Sequence, residues 1–204
     1  VDFGSNSTIY GELEISNNGA VAANPPAYAI GSILKYSASG NFLRGLEWSS
    51  LSGNGYPYNV EVSNATSLDL FTNGQDIREC GGSLTITPLS AVNMGNMNYP
   101  LIVGKDAIVE GTLVLSNSTN TNGNFKVSGN LTINSSGNII TNNRLIILQG
   151  AIPTLISGTA ASMSFDYMEI SKAPGNSVSL ARDITLQKGL TLTSGIISTG
   201  ANKI

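Results

Sequence analysis

Short segments of alternating apolar and polar residues run through most of the chain, and Gly, Asn or Ser interrupts them every few residues. Alternate side chains of a β-strand point to opposite faces, so each segment places its apolar residues on one side. Helical spacing of apolar residues never persists beyond about two turns. The pattern therefore predicts an all-β protein built from many short strands.

A short Gly-led phrase recurs and assigns faces to the predicted strands. Its copies are GELEI at 11–15, GSLTI at 82–86, GTLVL at 111–115, GNLTI at 129–133 and a shortened GLTL at 189–192. In the second copy Leu84 and Ile86 share one face and Thr85 lies on the other. One side of the predicted strands is thus a stack of aliphatic residues that needs cover.

Repetition of such units lets each strand cover the apolar face of its neighbour, since repeats of about 20–50 residues are typical of solenoids. We therefore predict a parallel β-helix that spans residues 1–204 as a single domain. The alternative is a β-sandwich. That fold requires antiparallel hairpins, and the two-residue NG or DG turns that mark hairpins are rare between the predicted strands.

Two polar clusters, 116–124 and 134–138, are the predicted corners of the coil. Gly and Asn tolerate the left-handed conformations of sharp bends, and inward Asn side chains are expected to stack as amide ladders. Residues 33–60 depart from the rhythm and predict a loop excursion packed against the coil.

The composition of the chain argues against nucleic-acid binding and against insertion into a membrane. Charged residues make up 11% of the chain, against roughly 25% in a typical soluble domain, so Asn, Ser, Thr and Gly must supply solubility. The net charge of −3 and the scattered Lys and Arg residues supply no cationic footprint for nucleic acid, so we expect no nucleic-acid partner. No apolar run is long enough to span a bilayer, so we expect no direct membrane insertion.

Three blocks carry a resemblance to a known family: GLEWSSLSGNGYPYNVEVSN at 45–64, RECGGSLTI at 78–86 and the segment 165–204. They resemble the β-helical repeat regions of large secreted and cell-surface proteins of Bacteroidota. The resemblance implies a right-handed coil, export by type IX secretion and an adhesin-like role. The family's signal peptide and sorting domain do not occur in these residues, so we expect a fragment of a longer chain.

Catalytic chemistry has few candidates, because the sequence contains no His and a single Cys. The absence of His excludes Ser–His–Asp and Cys–His arrangements and most zinc sites. Cys80 is expected to be a buried apolar side chain. We therefore predict no enzymatic activity, no metal and no cofactor.

Glu12 and Glu14 are the first of three carboxylate groupings to consider. They share a strand face about 7 Å apart, a separation that overlaps that of inverting glycosidases. A working pair normally straddles a cleft, so we interpret these two residues as a solvated strand face.

The other two groupings are equally weak as catalytic candidates. Asp166 and Glu169 fall on opposite faces of an extended segment, with Glu169 expected near Lys172. The third grouping reads as a local ion-pair cluster rather than a lyase site. Its members are Asp76, Arg78 and Glu79.

Aromatic residues in the excursion are the candidate contact residues. Trp48, Tyr56 and Tyr58 have faces suited to sugar rings, and the competing interpretation is that they pack on the coil. An outward row of Thr raises a further, ice-binding interpretation. The row consists of Thr85, Thr87, Thr132, Thr191 and Thr193.

The sequence thus predicts a non-enzymatic structural or adhesive module of a secreted or cell-surface bacterial protein. Its expected partners are further coils, through end-to-end self-association or within the same parent protein, and surface glycans. The alternative function is a carbohydrate-binding or degenerate polysaccharide-lyase-like β-helix.

Overall fold

The computed structural model describes residues 1–71 and 77–204, which form short strands and one turn of 3₁₀ helix at Leu46–Trp48. In chain order the strands are β1 Thr8–Ile9, β2 Glu12–Ile15, β3 Ala27–Tyr28, β4 Ile33–Tyr36, β5 Gly40–Leu43, β6 Asn59–Val62, β7 Thr66–Asp69, β8 Arg78–Cys80, β9 Leu84–Ile86, β10 Ala91–Asn93, β11 Leu101–Val103, β12 Ala107–Val109, β13 Thr112–Val114, β14 Phe125–Val127, β15 Leu131–Ile133, β16 Asn138–Ile140, β17 Leu145–Gly150, β18 Thr154–Ser157, β19 Ser164–Lys172, β20 Ser177–Leu180, β21 Thr185–Ser194 and β22 Ile196–Ser198.

The strands form three long sheets and one short sheet, and every strand pair among the described residues is parallel. The long sheets have the orders β2-β4-β6-β9-β12-β15-β18-β20-β22, β5-β7-β10-β13-β16 and β8-β11-β14-β17-β19-β21, and the short sheet pairs β1 with β3. Successive strands enter different sheets, so the chain winds as a coil. This is the predicted parallel β-helix, and the parallel pairing excludes the β-sandwich. Its right-handed sense stays a prediction.

On the nine-stranded sheet one turn of the coil takes 23 or 24 residues in the middle of the chain. Leu84 pairs with Ala107, and Ala107 pairs with Leu131. The recurring Gly-led phrase does not follow this period. GSLTI and GNLTI lie in the nine-stranded sheet, whereas GTLVL contributes β13 to the five-stranded sheet and GLTL lies in the six-stranded sheet. The phrase thus marks any strand, because all three faces bury alternate residues in the same way.

The core consists of ladders of inward side chains that run along the coil axis. On the nine-stranded sheet one ladder is continuous through seven strands and is almost fully buried; its members are Leu34, Val60, Leu84, Ala107, Leu131, Ile156 and Leu180. Burying one such aliphatic side chain contributes about 1.5–3 kcal/mol. The predicted inward and outward faces of GSLTI and GNLTI are confirmed.

The predicted excursion over residues 33–60 is too long. Residues 33–43 contain β4 and β5, which pair in register with β6 and β7. Only residues 44–58 leave the regular coil. The aromatic and Gly-rich composition of that part obscured the alternation of the two strands before it.

The corners work differently from the prediction. No residue of 116–124 or 134–138 has a positive φ, whereas Asn64, Asn142 and Asn143 do. The amides of Asn64 and Asn142 donate to the carbonyl oxygens of Ser37 and Leu115 in the preceding coil, at 3.0 and 2.7 Å. These Asn side chains therefore join coils through main-chain acceptors and do not form amide ladders.

Glycines allow the coils to approach closely at other corners. A Cβ at Gly137 would lie 2.0 Å from the carbonyl oxygen of Val109, and one at Gly111 would lie 2.1 Å from that of Ser90. Both contacts are far inside van der Waals distance. Gly is therefore required at these two positions by close approach of the main chain.

Candidate functional site

Trp48 lies in the interior and is fully buried. Its indole Nε1 donates to the carbonyl oxygen of Glu79 at 2.8 Å, which holds the excursion against the six-stranded sheet. A ring without solvent exposure cannot stack on a sugar, so the prediction that Trp48 contacts a glycan is wrong. The sequence shows a Trp in a Gly-rich segment, and that pattern does not distinguish an exposed ring from a packed one.

Tyr56 and Tyr58 are half-buried on the outside of the coil. The Tyr56 hydroxyl donates to Glu79 Oε1 at 2.9 Å, and burial raises the pKa of Tyr56 above its ordinary value. The Tyr58 ring lies against Gly82 and has the ammonium of Lys105 5.5 Å from its centroid. Both tyrosines retain accessible surface, and their contact with a glycan or partner stays a prediction.

A buried carboxylate beside Trp48 was missed by the sequence analysis. Glu47 is fully buried and accepts hydrogen bonds from the Tyr36 hydroxyl at 2.9 Å and from the main-chain N–H groups of Gly45 and Val21 at 2.6 and 3.3 Å. Burial, with this carboxylate close by, raises the pKa of Tyr36 well above its ordinary value. The cluster connects the excursion to the first coils, because buried acceptors of this kind require fixed donors.

The carboxylates at the start of the chain lie on an exposed face. Lys35 lies between Glu12 and Glu61, with Nζ to Oε1 distances of 3.8 and 3.6 Å. Glu14 accepts a hydrogen bond from the Ser37 hydroxyl at 2.5 Å. These contacts run from coil to coil along the sheet and agree with the interpretation as a solvated strand face.

The predicted cluster around residue 78 is divided between inside and outside. Arg78 is buried on the inward side of β8 and donates from Nη1 to the carbonyl oxygen of Ile77. Glu79 is on the outward side, where it accepts the Tyr56 hydroxyl. Asp76, the third member of the predicted ion-pair cluster, lies outside the described residues. Arg78 and Glu79 thus point away from each other.

Cys80 and the outward row of Thr residues are the last of the predicted features to compare with the structure. Cys80 is fully buried, as expected, and burial raises the pKa of its thiol to about 12. The Thr row does not form one surface. Thr85 and Thr132 are separated by Ile108 on the nine-stranded sheet, whereas Thr191 and Thr193 belong to β21 of another sheet. No single Thr lattice is therefore present for the ice-binding interpretation.

The segment around Asp166 does not alternate as predicted, and the irregularity lies beside a groove on the outer face. A β-bulge between Phe165 and Tyr167 shifts the register of β19 against β21. Phe165 and Met168 are buried, and the two residues between them are both partly exposed. Asp166 and Glu169 therefore share the outer face of the sheet, contrary to the simple alternation of an extended strand.

Lys172 was expected near Glu169 and instead lies inside the coil. Its ammonium donates to the carbonyl oxygens of Ser128 at 2.9 Å and Gln149 at 2.5 Å, and burial lowers the pKa of Lys172 to about 8. Glu169 accepts a hydrogen bond from the Thr193 hydroxyl at 2.8 Å. The two side chains lie on opposite faces of β19.

A groove next to the bulge is the candidate site, and we refer to it as the Tyr167 groove. It has a volume of about 400 Å³ and is lined by Thr121, Asn124, Asn143, Leu145, Tyr167 and Thr191. These residues come from four successive coils, so the groove follows the axis. Sequence periodicity could not find it, because the bulge places Tyr167 on the outer face.

Charged residues at the edge of the Tyr167 groove form a compact pair. Lys188 Nζ lies 3.3 Å from Asp166 Oδ1 and 5.7 Å from the centroid of the Tyr167 ring, and it donates to Asn143 Oδ1. The pKa of Asp166 is lowered by hydrogen bonds from the Thr141 hydroxyl at 2.7 Å and the Asn143 main-chain N–H at 2.8 Å, and by Lys188. The carboxylate is therefore ionised and balances the ammonium.

A second groove, of about 450 Å³, lies on the five-stranded sheet. Asn41, Leu43, Ser67, Asp69 and Asn93 are among its lining residues. The Asn93 amide donates to the Ser67 hydroxyl at 2.9 Å, and Asp69 accepts the main-chain N–H of Phe71 at 2.9 Å. The first contact joins neighbouring strands, and the second holds the Asp69 carboxylate within its own coil.

Comparison with protein-family models, with curated proteins and with solved structures found no match. Over the described ranges 1–71 and 77–204, no three His, Cys, Asp or Glu side chains are placed to hold a metal ion together. In the same part of the chain no helix has the length and hydropathy of a membrane span.

Proposed function

We propose that the protein is a non-enzymatic structural or adhesive module of a secreted or cell-surface bacterial protein, whose coils stack end to end with further coils. The observation that carries this proposal is the exposed apolar ladder at the β21 end of the coil. Leu190 and Leu192 pair with Met168 and Ile170, which are fully buried, yet their own exposed fractions are 36% and 59%.

The same end also presents unpaired main-chain groups. β21 and β22 are the edge strands of their sheets, and an exposed edge is a template for another parallel strand. The inward side chains of one more coil would continue the ladders over Leu190 and Leu192. Hydrogen bonds and apolar burial therefore favour the same stacked arrangement.

The outer surface supports an adhesive role. One outward row of the five-stranded sheet consists of uncharged residues from five strands, namely Asn41, Ser67, Ala91, Thr112 and Asn138. Such a surface offers many neutral hydrogen-bonding groups without a strong electrostatic field. It suits repeated weak contacts with glycans or neighbouring chains.

Sedimentation velocity tests the stacking over concentrations from about 1 µM to about 100 µM, the range of weak protein contacts. We expect the sedimentation coefficient of the unchanged chain to rise with concentration and Leu192→Lys to abolish the rise. Leu155→Lys is the matched control, because Leu155 is 41% exposed on the outer side of β18, away from the end. A chain that stays monomeric throughout, or equal association of Leu192→Lys, would contradict the proposal.

A further inference from the structure

The Tyr167 groove presents an aromatic ring whose paired residue on the neighbouring strand has no side chain, although the ammonium of Lys188 lies over part of the ring. Tyr167 pairs with Gly189 of β21, and a Cβ added at Gly189 would lie 3.7 Å from Tyr167 Cδ1. Gly189 itself has no side chain to occupy that space. On the other side of Tyr167 the partner is Leu145, which is half-buried and lines the groove. The ring and Leu145 together form an apolar floor.

Two amide groups at the groove have a fixed orientation. Asn124 Oδ1 accepts the main-chain N–H of Leu145 at 3.1 Å, and Asn143 Oδ1 accepts the ammonium of Lys188. Each oxygen is therefore occupied, and each Nδ2 remains as a donor. Within residues 1–71 and 77–204 neither Nδ2 has a hydrogen-bond acceptor, so two positioned donors are left for a ligand.

The electrostatics of the groove favour a neutral ligand. Lys188 is engaged by Asp166, by Asn143 and by the face of the Tyr167 ring. Asp166 is in turn held ionised by the Thr141 hydroxyl and the Asn143 N–H. The charges cancel within the pair, and an anionic ligand would meet a cation that already has its partners.

The length of the groove indicates an extended ligand. Its lining residues come from four successive coils, and adjacent parallel strands are about 4.8 Å apart, so the groove follows the axis for about 14 Å. Thr121 lies near one end, and Thr191 lies at the other, on the edge strand β21 of the six-stranded sheet. Hydroxyl groups at both ends can exchange hydrogen bonds with a polyol.

From this geometry we infer that the Tyr167 groove binds a neutral, extended oligosaccharide. Its apolar C–H faces lie on Tyr167 and Leu145, and its hydroxyl oxygens accept hydrogen bonds from Asn124 Nδ2 and Asn143 Nδ2. Sites of this kind combine an aromatic platform with a few oriented polar groups. The inference gives the proposed adhesive module a ligand class and a site, and in that respect it rests on the proposed function.

Titration of the ¹⁵N-labelled chain followed by NMR tests this site. The probes are cellotriose, mannotriose and triacetylchitotriose, with trigalacturonic acid as the anionic comparison, each to about 10 mM so that millimolar binding is detected. We expect at least one neutral trisaccharide to shift the side-chain amide signals of Asn124 and Asn143. We expect Tyr167→Ala to weaken that binding about tenfold.

Two more variants keep the result interpretable. Gly189→Leu adds a side chain over the ring without removing any lining residue, and we expect it to weaken binding as Tyr167→Ala does. Tyr99→Ala is the control, because Tyr99 is 37% exposed and lies outside the groove. We expect its binding to equal that of the unchanged chain. Amide spectra of all variants report whether the fold is retained.

Several outcomes would overturn the inference. They are no shift with any of the three neutral trisaccharides, unchanged affinity in folded Tyr167→Ala and Gly189→Leu, or tighter binding of trigalacturonic acid than of every neutral probe. The proposed stacking is read separately, by sedimentation of Leu192→Lys. Failure of the glycan site and failure of stacking are therefore distinguishable.

Discussion

The ammonium nitrogen of Lys172 lies 2.9 Å from the carbonyl oxygen of Ser128, two coils earlier in the chain. The same nitrogen donates to the carbonyl oxygen of Gln149 in the intervening coil. The side chain therefore runs along the inside of a corner and connects three coils. A buried ammonium held by main-chain carbonyls has a pH dependence that can be measured.

The stability of the fold should rise as Lys172 loses its proton. Burial lowers the pKa of Lys172 from 10.5 to about 8, so below about pH 8 the folded and unfolded chains are both protonated. Between about pH 8 and 10.5 the unfolded chain binds more protons at this site, and the free energy of unfolding increases with pH. At about 1.4 kcal/mol for each pH unit of the window, we expect a gain of about 3 kcal/mol for the unchanged chain relative to Lys172→Met.

Urea unfolding at several pH values across that window measures the effect. The comparison with Lys172→Met cancels the titration of Tyr and the other Lys residues, which both chains share. Parallel stability curves for the two chains would show that Lys172 keeps its ordinary pKa.

Trp48→Ala should act on stability and leave sugar binding unchanged. Removing a fully buried Trp typically costs about 3–5 kcal/mol, and here it also leaves the Glu79 carbonyl without its indole donor. Thermal or urea unfolding measures the loss. Leu51→Ala, at a 45% exposed residue of the same excursion, should change stability by less than about 0.5 kcal/mol.

Sugar affinity of the folded Trp48→Ala chain gives the second measurement. The affinity for the neutral trisaccharides should match that of the unchanged chain. Weaker sugar binding with undiminished stability would show that Trp48 is a contact residue after all.

Gly137→Ala should destabilise the coil through a clash between neighbouring turns. The added Cβ would lie 2.0 Å from the carbonyl oxygen of Val109, and main chain must move to relieve that contact. We expect a loss of about 3 kcal/mol in the free energy of unfolding. Gly11→Ala is the matched control, since its Cβ meets nothing within 4 Å and its φ is not in the left-handed region. Equal stability of the two variants would refute the close-approach explanation.

Alternation along the chain was enough to predict the architecture, because each coil buries side chains by the same rule on every face. Leu84 and Ile86 are buried and Thr85 is not, as their positions indicated. The rule predicts faces and cannot assign a strand to a sheet. GTLVL and GNLTI look alike, and they lie in different sheets because corner lengths decide where the next strand begins.

The candidate site could not be predicted from the sequence, because it too depends on a departure from regular alternation. Asp166 and Tyr167 both face outward between buried Phe165 and Met168, at a bulge where β21 carries one more residue than β19, and no local residue pattern marks that irregularity. For Trp48 the error was the opposite one, because a residue predicted to lie at the surface is buried. Aromatic content suggested a contact surface, whereas the carbonyl oxygen of Glu79 and the surrounding core hold the ring inside.

The ladders of parallel strands make every coil touch mainly its two neighbours. Loss of the end coil therefore leaves the interior pairings of the rest intact, and addition of one lengthens the rod by about 4.8 Å at unchanged width. The length of the coil and the placement of its surface irregularities can therefore vary independently. The number of turns sets the length of the coil, and local irregularities such as the bulge between β19 and β21 set where side chains such as Tyr167 leave the regular pattern.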